Sequence, residues 1–199
     1  MTDMTRILVS LTVAGLLAAA DNPELKEIYS VDQSDRMAKV IDWPKILPRD
    51  KARRDRVRQM LDQGLVGSGK DFERAAMVFQ HGDGSDDILM AHVLAVTAIG
   101  KGNLDARWLA AAALDRFLHR VGQPQVFGTQ YTKNAGQPWS MEPYNRSLIG
   151  AAVRDANCVP HQDDQLARLN SLIKDEEPRP PARQPCADSR LGTPAPSAK

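Results

Sequence analysis

Polar residues that could do chemistry are concentrated where two helix-forming segments of the sequence end. One pair closes a segment that ends at position 81, and the others lie at the end of a second helical segment and in the turn that follows it. In sequence order they are Gln80, His81, Asp115, Arg116, Gln125, Thr129 and Gln130. Histidine titrates near neutral pH and can act as a general base. Glutamine amides can both donate and accept hydrogen bonds.

This set predicts a site with two kinds of contributor. His81 is the candidate general base, with Asp115 and Arg116 as orienting or charge-stabilising groups. The candidate ligand-binding residues are Gln80, Gln125, Thr129 and Gln130. Because helical neighbours do not face each other, Asp115 and Arg116 are expected to have separate partners.

Structural roles for the same residues stay open. His81 can cap the last carbonyls of its helix instead of acting on a ligand. The polar turn, residues 122–131, can be an internally hydrogen-bonded plug. His92 lies in a largely apolar segment, which is typical of a core histidine that is hydrogen-bonded internally.

Other chemistry has weaker support in the sequence. His81, Asp83, Asp86, Asp87 and His92 offer metal donors, but their spacing matches no ligand motif, so neither a metal nor a cofactor is predicted. Residues 67–70 lack the first glycine and the spacing of a phosphate-binding loop. No segment resembles a nucleophile elbow.

The amino-terminal residues predict export. Arg6 precedes an uncharged apolar run, residues 7–20, which ends in three alanines. This is the layout of a secretory signal peptide with cleavage before Asp21, although an uncleaved anchor is the alternative. The expected location is the periplasm or outside the cell, with no membrane span after cleavage.

The charge balance bears on the class of partner, and the cysteine content bears on a possible disulfide. Lys and Arg total 26 and Asp and Glu total 25, so no global field favours nucleic acid. Cys158 and Cys186 are the two cysteines of the sequence. In an oxidising compartment they can form a disulfide, and two free thiols are the alternative.

Hydrophobic periodicity predicts helices along most of the chain and almost no strand, apart from a brief extension at residues 126–127. The expected helices are residues 23–30, 33–41, 49–63, 71–81, 86–99, 104–121, 145–156 and 162–175. Prolines 44 and 48 are expected to end the second of these. Ser85 is a candidate cap for the helix after it, which is apolar on most faces and is expected to be buried.

These segments predict an all-α fold, a compact array of short antiparallel helical hairpins. Residues 71–76 are similar to the start of a tetratricopeptide or Sel1 repeat, but no second copy occurs at a fixed period. The predicted organisation is a signal peptide at residues 1–20, an approach segment at 21–48, an all-α domain at 49–175 and a disordered proline-rich tail at 176–199.

The polar residues also carry a family resemblance. Gln80-His81, Asp115-Arg116 and the run Gly122-x-Pro124-Gln125-x-x-Gly128-Thr129-Gln130 resemble the motifs of a widespread bacterial family of proteins of unknown function. The resemblance covers residues 49–159, and Phe127 stands where the family commonly has tyrosine. It implies that these positions act together, and it implies no activity.

Two functional hypotheses follow. The first is an exported binding module that uses residues 122–131 to contact a peptide, a glycan or a protein partner. The second is a small exported hydrolase or lyase with His81 as general base and Asp115 or Arg116 stabilising charge.

Overall fold

Helices make up most of the described chain. The computed structural model describes residues 20–38, 40–134 and 136–171, so most of the predicted signal peptide, the proline-rich tail and Cys186 lie outside the described residues. The helices are α1 Pro23–Met37, α2 Trp43–Asp62, α3 Gly69–Gln80, α4 Ser85–Gly100, α5 Arg107–Arg120, α6 Ala151–Ala156 and α7 Gln162–Ser171, with a 3₁₀ turn at Leu104–Ala106 before α5. The predicted all-α class is confirmed; the resemblance to tetratricopeptide or Sel1 repeats stays a prediction.

Side-chain caps fix where the first three helices begin. The Asn22 side chain accepts from the Leu25 backbone N–H at the start of α1. At the start of α3, the Ser68 hydroxyl accepts from the Asp71 backbone N–H, and the Asp71 carboxylate accepts from the backbone N–H of Ser68 in return. Each cap satisfies a backbone donor that the helix itself leaves free.

Pro44 and Pro48 do not end a helix, although the sequence predicts that they do. Residues 23–37 form one continuous helix instead of two short ones, and α2 begins at Trp43. Pro44 lies in the first turn of α2, where its missing N–H has no helical partner to lose. Pro48 lies inside the helix, which continues past it for more than three turns.

The main core lies among the first five helices. Helices α3 and α4 pack against each other, α4 packs against α5, and α1 and α2 lie against α3. The core includes Leu25 of α1, Met60 of α2 and Phe79 of α3, all fully buried, and many alanines of α3, α4 and α5. Small side chains let these helices approach closely. The segment 21–48 thus contributes α1 to the same core as the later helices.

Helix α4 differs from its prediction in two ways. Leu89, Val93 and Val96 are 38 %, 50 % and 48 % exposed, so only one face of this apolar helix is buried. Ser85 is the first helical residue rather than the cap, because Gly84 occupies the cap position and no side chain bonds there.

A second apolar cluster covers the opposite side of α5. Ala111, Phe127 and Val159 are its buried members, so the chain after α5 folds back onto that helix. The strands are two residues long, β1 Tyr131–Thr132 and β2 Ser140–Met141, and they pair antiparallel. Residues 126–127 form a bend instead of the predicted extension, and the helix expected from residue 145 begins at Ala151.

Two further features concern the ends of the described chain. Cys158 takes part in a disulfide, while Cys186, the other cysteine of the sequence, lies outside the described residues. None of the helices within the described ranges has both the length and the hydropathy that crossing a bilayer requires.

Candidate functional site

Asp115 is the centre of the polar turn that follows α5. Its side chain is fully buried, and one oxygen, Oδ1, accepts from the backbone N–H groups of Val126 and Phe127 at 2.8 and 2.9 Å. The other oxygen, Oδ2, accepts from the backbone N–H and the hydroxyl of Thr129, both at 2.9 Å. Four donors therefore satisfy a buried carboxylate, and the carboxylate fixes the turn in place.

Gln125 holds the same turn from within. Its side-chain Nε2 donates to the carbonyl oxygens of Gln130 and Glu142, and its Oε1 accepts from the Gln130 backbone N–H at 2.7 Å. The backbone of Gln125 bonds to Pro143 and Asn145 on the returning chain. Because this fully buried amide is already engaged on both sides, its contacts give it a structural role.

Arg154 of α6 clamps the turn from the other side. Its side chain is buried, and its Nη1 donates to the Phe127 carbonyl oxygen at 2.6 Å. Its remaining nitrogens donate to the Pro160 carbonyl oxygen. Phe127 is thus held by Asp115 through its N–H and by Arg154 through its C=O.

Gly128 meets two requirements at the centre of the turn. Its φ of +69° lies in the left-handed region that favours glycine. A Cβ atom at this position would lie only 2.6 Å from the Met141 sulfur. The turn at residues 125–130 is therefore an internally bonded unit, as the structural alternative for this segment predicts.

Arg116 points away from the turn's interior and joins it to α3. Its Nε donates to the Gln130 side-chain oxygen at 3.1 Å, and its Nη1 donates to the Gln80 backbone oxygen at 2.8 Å. The expectation that Asp115 and Arg116 have separate partners is confirmed. One guanidinium brings together Gln80 and Gln130, which are 50 positions apart in the sequence.

A continuous hydrogen-bond chain links Asp115 to Arg116 through the turn. The Thr129 hydroxyl donates to Asp115, and its oxygen accepts from the Gln130 Nε2 at 3.1 Å. The Gln130 Oε1 then accepts from Arg116. The Gln130 Nε2 also donates to the Ala112 carbonyl oxygen at 3.3 Å. The buried carboxylate thereby orients the amide that orients the guanidinium.

The Arg116 guanidinium has no acidic partner among the described residues. Burial is the main cause that lowers its pKa, followed by the positive charges of Arg120 and Arg36. The oxygen atoms that it contacts are neutral amide and carbonyl oxygens. The guanidinium therefore has no counter-ion in direct contact within the described ranges.

His81 is paired with a carboxylate that the sequence does not reveal. Its Nδ1 lies 3.2 and 3.0 Å from the two carboxylate oxygens of Asp32, which is fully buried in α1. Arg36 also bonds to Asp32, at 2.9 Å. Within the described part of the chain, the His81 Nε2 has no hydrogen-bond partner and is not shut off from solvent.

The backbone oxygens at the end of α3 are capped by arginines rather than by the imidazole. Arg54 donates to the His81 carbonyl oxygen at 3.1 Å, and Arg116 donates to that of Gln80. The capping role considered for the His81 side chain is thus filled by these two guanidiniums.

Gln80 has a side chain that the surrounding protein does not satisfy. It is 7 % exposed, and its Oε1 is buried without a hydrogen-bond partner among the described residues. Buried amide oxygens are nearly always hydrogen-bonded in folded proteins, so this oxygen is an acceptor that the described residues leave unsatisfied.

Four of the five residues considered for metal binding, His81, Asp83, Asp87 and His92, have other partners. The His92 Nδ1 lies 2.9 Å from the Ala110 carbonyl oxygen, as expected for a core histidine. Asp83 and Asp87 form ion pairs with Arg54. Within the described ranges, no three histidine, cysteine or acidic side chains are grouped so that they could hold a metal ion.

Sequence reasoning missed three residues of this region: Asp32, Arg120 and Arg154. Asp32 lies 49 residues before His81 and no local pattern marks it as buried. Arg154 stands in a short alanine-rich helix with nothing to show that it reaches the turn. Arg120 follows Arg116 by one helical turn, and this spacing is the one signal that the sequence did offer.

The predicted site residues therefore divide into two groups. Asp115, Gln125 and Thr129 hold the turn together. Arg116 joins Gln80 and Gln130 where the ends of α3 and α5 meet, and His81 follows Gln80 with its ring on Asp32. We call Gln80, His81, Arg116 and Gln130 the α3–α5 site. Searches against protein-family models, curated proteins and solved structures found nothing that matches this chain.

Proposed function

We propose that the protein is an exported binding module whose ligand occupies the α3–α5 site. The observation that carries the proposal is the Gln80 side chain, which is buried and unpartnered on the very residue that Arg116 bonds through its backbone. A ligand that donates a hydrogen bond to the Gln80 amide oxygen would satisfy it. The partner class is a peptide, a glycan or a protein.

The geometry refines which residues would contact that ligand. The side chains of Gln125 and Thr129 form hydrogen bonds inside the turn. The turn contributes Gln130 to the α3–α5 site and otherwise acts as its support. Export is proposed from the apolar run at residues 7–20, most of which lies outside the described residues.

A second candidate function, a hydrolase or lyase, is favoured by the pairing of Asp32 with His81. A carboxylate that binds Nδ1 orients the imidazole and leaves Nε2 as the basic atom, an arrangement that general-base catalysts use. Arg116 would stabilise negative charge in such a reaction. Asp115 would act only by positioning the turn, because its oxygens already accept four hydrogen bonds.

A thermal-stability screen of the protein against small molecules, peptides and glycans tests the binding proposal. Compounds that raise the melting temperature are retested with His81→Ala and Gln130→Ala, each measured against its own ligand-free baseline. The exposed residues His161 and Gln123 supply matched controls, His161→Ala and Gln123→Ala. Stabilisation that disappears in the two site variants and persists in the controls supports the proposal. Stabilisation that both site variants retain contradicts it.

The same compounds separate binding from catalysis. Each is incubated with the protein and analysed by mass spectrometry for a product. Turnover that His81→Ala and Asp32→Asn both abolish, with binding retained, supports the hydrolase or lyase. A compound that stays intact while it stabilises the protein supports the binding module.

A further inference from the structure

We propose that the ligand of the α3–α5 site carries an oxyanion, a carboxylate or phosphate group, which Arg116 binds with assistance from Arg120. This inference rests on the proposed function and adds the chemical class of the ligand. It uses contacts and charges that the binding proposal does not need.

The partners of the described arginines set Arg116 and Arg120 apart. Most arginines in the described ranges form ion pairs with carboxylates; these are Arg36, Arg49, Arg53, Arg54, Arg56, Arg58, Arg74 and Arg146. Arg116 and Arg120 form none with the described residues. Arg154 also has no carboxylate partner there, but its nitrogens are engaged by backbone carbonyls. Arg107 likewise donates to backbone carbonyls, those of Leu104 and Ala156. Among the described arginines, Arg116 and Arg120 therefore differ from the majority, which pair with carboxylates.

Arg116 retains N–H donors that no described residue uses. Its Nε and one N–H of Nη1 bond to Gln130 and Gln80. The Nη2 nitrogen has no partner within the described ranges, and it is not closed off from solvent. A guanidinium has five N–H donors in a rigid plane, so at least the Nη2 edge can bind an oxyanion without disturbing either existing bond.

The charges near Arg116 also favour the binding of an anion. Arg120 lies one turn after Arg116 on α5, and like charges at this spacing repel each other. Arg36 also lowers the pKa of Arg116, although its own guanidinium is paired with Asp32 and Asp50. An anion placed there would relieve the repulsion, and partial burial strengthens its attraction to Arg116.

The Arg116 guanidinium is preorganised for binding. The chain from Asp115 through Thr129 and Gln130 fixes the Nε side of the Arg116 guanidinium before any ligand arrives. A cation held in place loses less conformational freedom when it binds an anion than a freely rotating surface arginine does. The buried turn thus has a role in binding, because it orients the N–H donors of the Arg116 guanidinium.

The test is an NMR titration of the protein labelled with ¹⁵N, in which the arginine Nε–H resonances are followed. Inorganic phosphate and acetate are the two probes, and sodium chloride of equal ionic strength is the control. The Arg116 resonance is assigned by its loss in Arg116→Lys. We expect saturable shifts of the Arg116 resonance with phosphate, acetate or both, and the stronger probe identifies the favoured oxyanion. Arg56, an exposed arginine paired with Glu24, is the internal reference and should not shift.

Affinities for the stronger probe are then measured for variants. Losing a hydrogen bond to a charged group weakens binding by about tenfold or more, which we expect for Arg116→Gln. Arg120→Gln should weaken binding by about two- to threefold, as expected for an exposed charge. Arg56→Gln is the matched control and should bind as the unmodified protein does.

Two outcomes would overturn the inference. One is an Arg116 resonance that phosphate and acetate shift no more than chloride does, and this result needs no variant to fold. The other is an affinity that Arg116→Gln leaves unchanged. If neutral ligands from the stability screen still bind at Gln80 and Gln130, the binding proposal stands while the oxyanion inference falls. The opposite result is that phosphate or acetate binds at Arg116, while His81→Ala and Gln130→Ala leave the binding of every ligand from the screen unchanged. In that case the oxyanion inference stands and the binding proposal falls.

Discussion

Asp115 and Arg116 are neighbours in the sequence and have opposite environments. Asp115 is fully buried and accepts four hydrogen bonds from the turn. Arg116 bonds to two neutral oxygens, and within the described ranges it has no carboxylate and no partner for Nη2. The carboxylate side of the helix is chemically satisfied, whereas the guanidinium side retains unused capacity to bind.

The difference separates support from site. A buried ion with all of its hydrogen bonds made contributes to a single folded arrangement, and changing it should mainly affect stability. A cation without a counter-ion costs stability and gains a partner only when a ligand binds. Substitutions on the two sides should therefore affect different measurements.

Asp115→Asn should have the largest effect on folding. The asparagine NH₂ group would face N–H donors in place of an acceptor, and each buried donor left unpaired costs about 1–3 kcal/mol. Chemical unfolding in urea, followed by circular dichroism, measures the change. Asp155→Asn is the control because Asp155 is exposed on α6. If the two variants lose similar stability, Asp115 does not hold the turn.

Gln125→Leu should come next. Leucine cannot replace the bonds to the Gln130 and Glu142 carbonyls or accept from the Gln130 N–H, and leaving such buried groups unpaired costs about 2 kcal/mol. Urea unfolding gives the total, and hydrogen exchange of the Gln130 amide reports the local effect. Gln123→Leu, at a nearby exposed position, is the matched control. Unchanged exchange at Gln130 would contradict the role assigned to Gln125.

Arg116→Gln should change the free energy of unfolding by only about 1 kcal/mol in either direction, because two hydrogen bonds are lost while a partly buried charge is removed. Its main effect should appear in the anion titration. The stability measurement is made beside Asp115→Asn under the same conditions. A loss as large as that of Asp115→Asn would erase the distinction between the two sides of the helix.

Arg120→Gln should have the smallest effect on folding. Removing one of two like charges at this spacing should give a gain of about 0.2–0.5 kcal/mol, which the loss of a cation from the last turn of α5, about 0.3–1 kcal/mol, offsets. Both contributions should shrink as the ionic strength rises, because salt screens exposed charges. Urea unfolding at two salt concentrations checks both statements. A loss of stability clearly larger than about 1 kcal/mol would show that Arg120 has a favourable partner.

Sequence reasoning identified the helices well because each is encoded locally. Apolar spacing and glycine turns placed α3, α4 and α5 within a few residues, and the all-α class followed from them. It was wrong where a local rule is permissive: Pro44 is compatible with the first turn of a helix, and Pro48 is accommodated inside one. It also overestimated the burial of α4, because apolar composition does not show how many neighbours a helix has.

The candidate site was found in sequence only as a set of polar positions. The separation of Asp115 from Arg116 could be predicted, since adjacent helical residues point in different directions. The division of roles could not be predicted. Gln125 and Gln130 are the same residue type in the same turn, yet one bonds within the turn and the other binds Arg116.

What the sequence alone determined is local: where helices form, which residue types could act as base, cation or amide, and that a dense polar turn follows α5. What only the tertiary structure decided is which of these groups are already satisfied. Asp32 reaches His81 across 49 residues, and Arg116 reaches Gln80 across 36. Hydrogen-bond satisfaction depends on partners that the fold brings together from distant positions, and no local pattern in a single sequence records them.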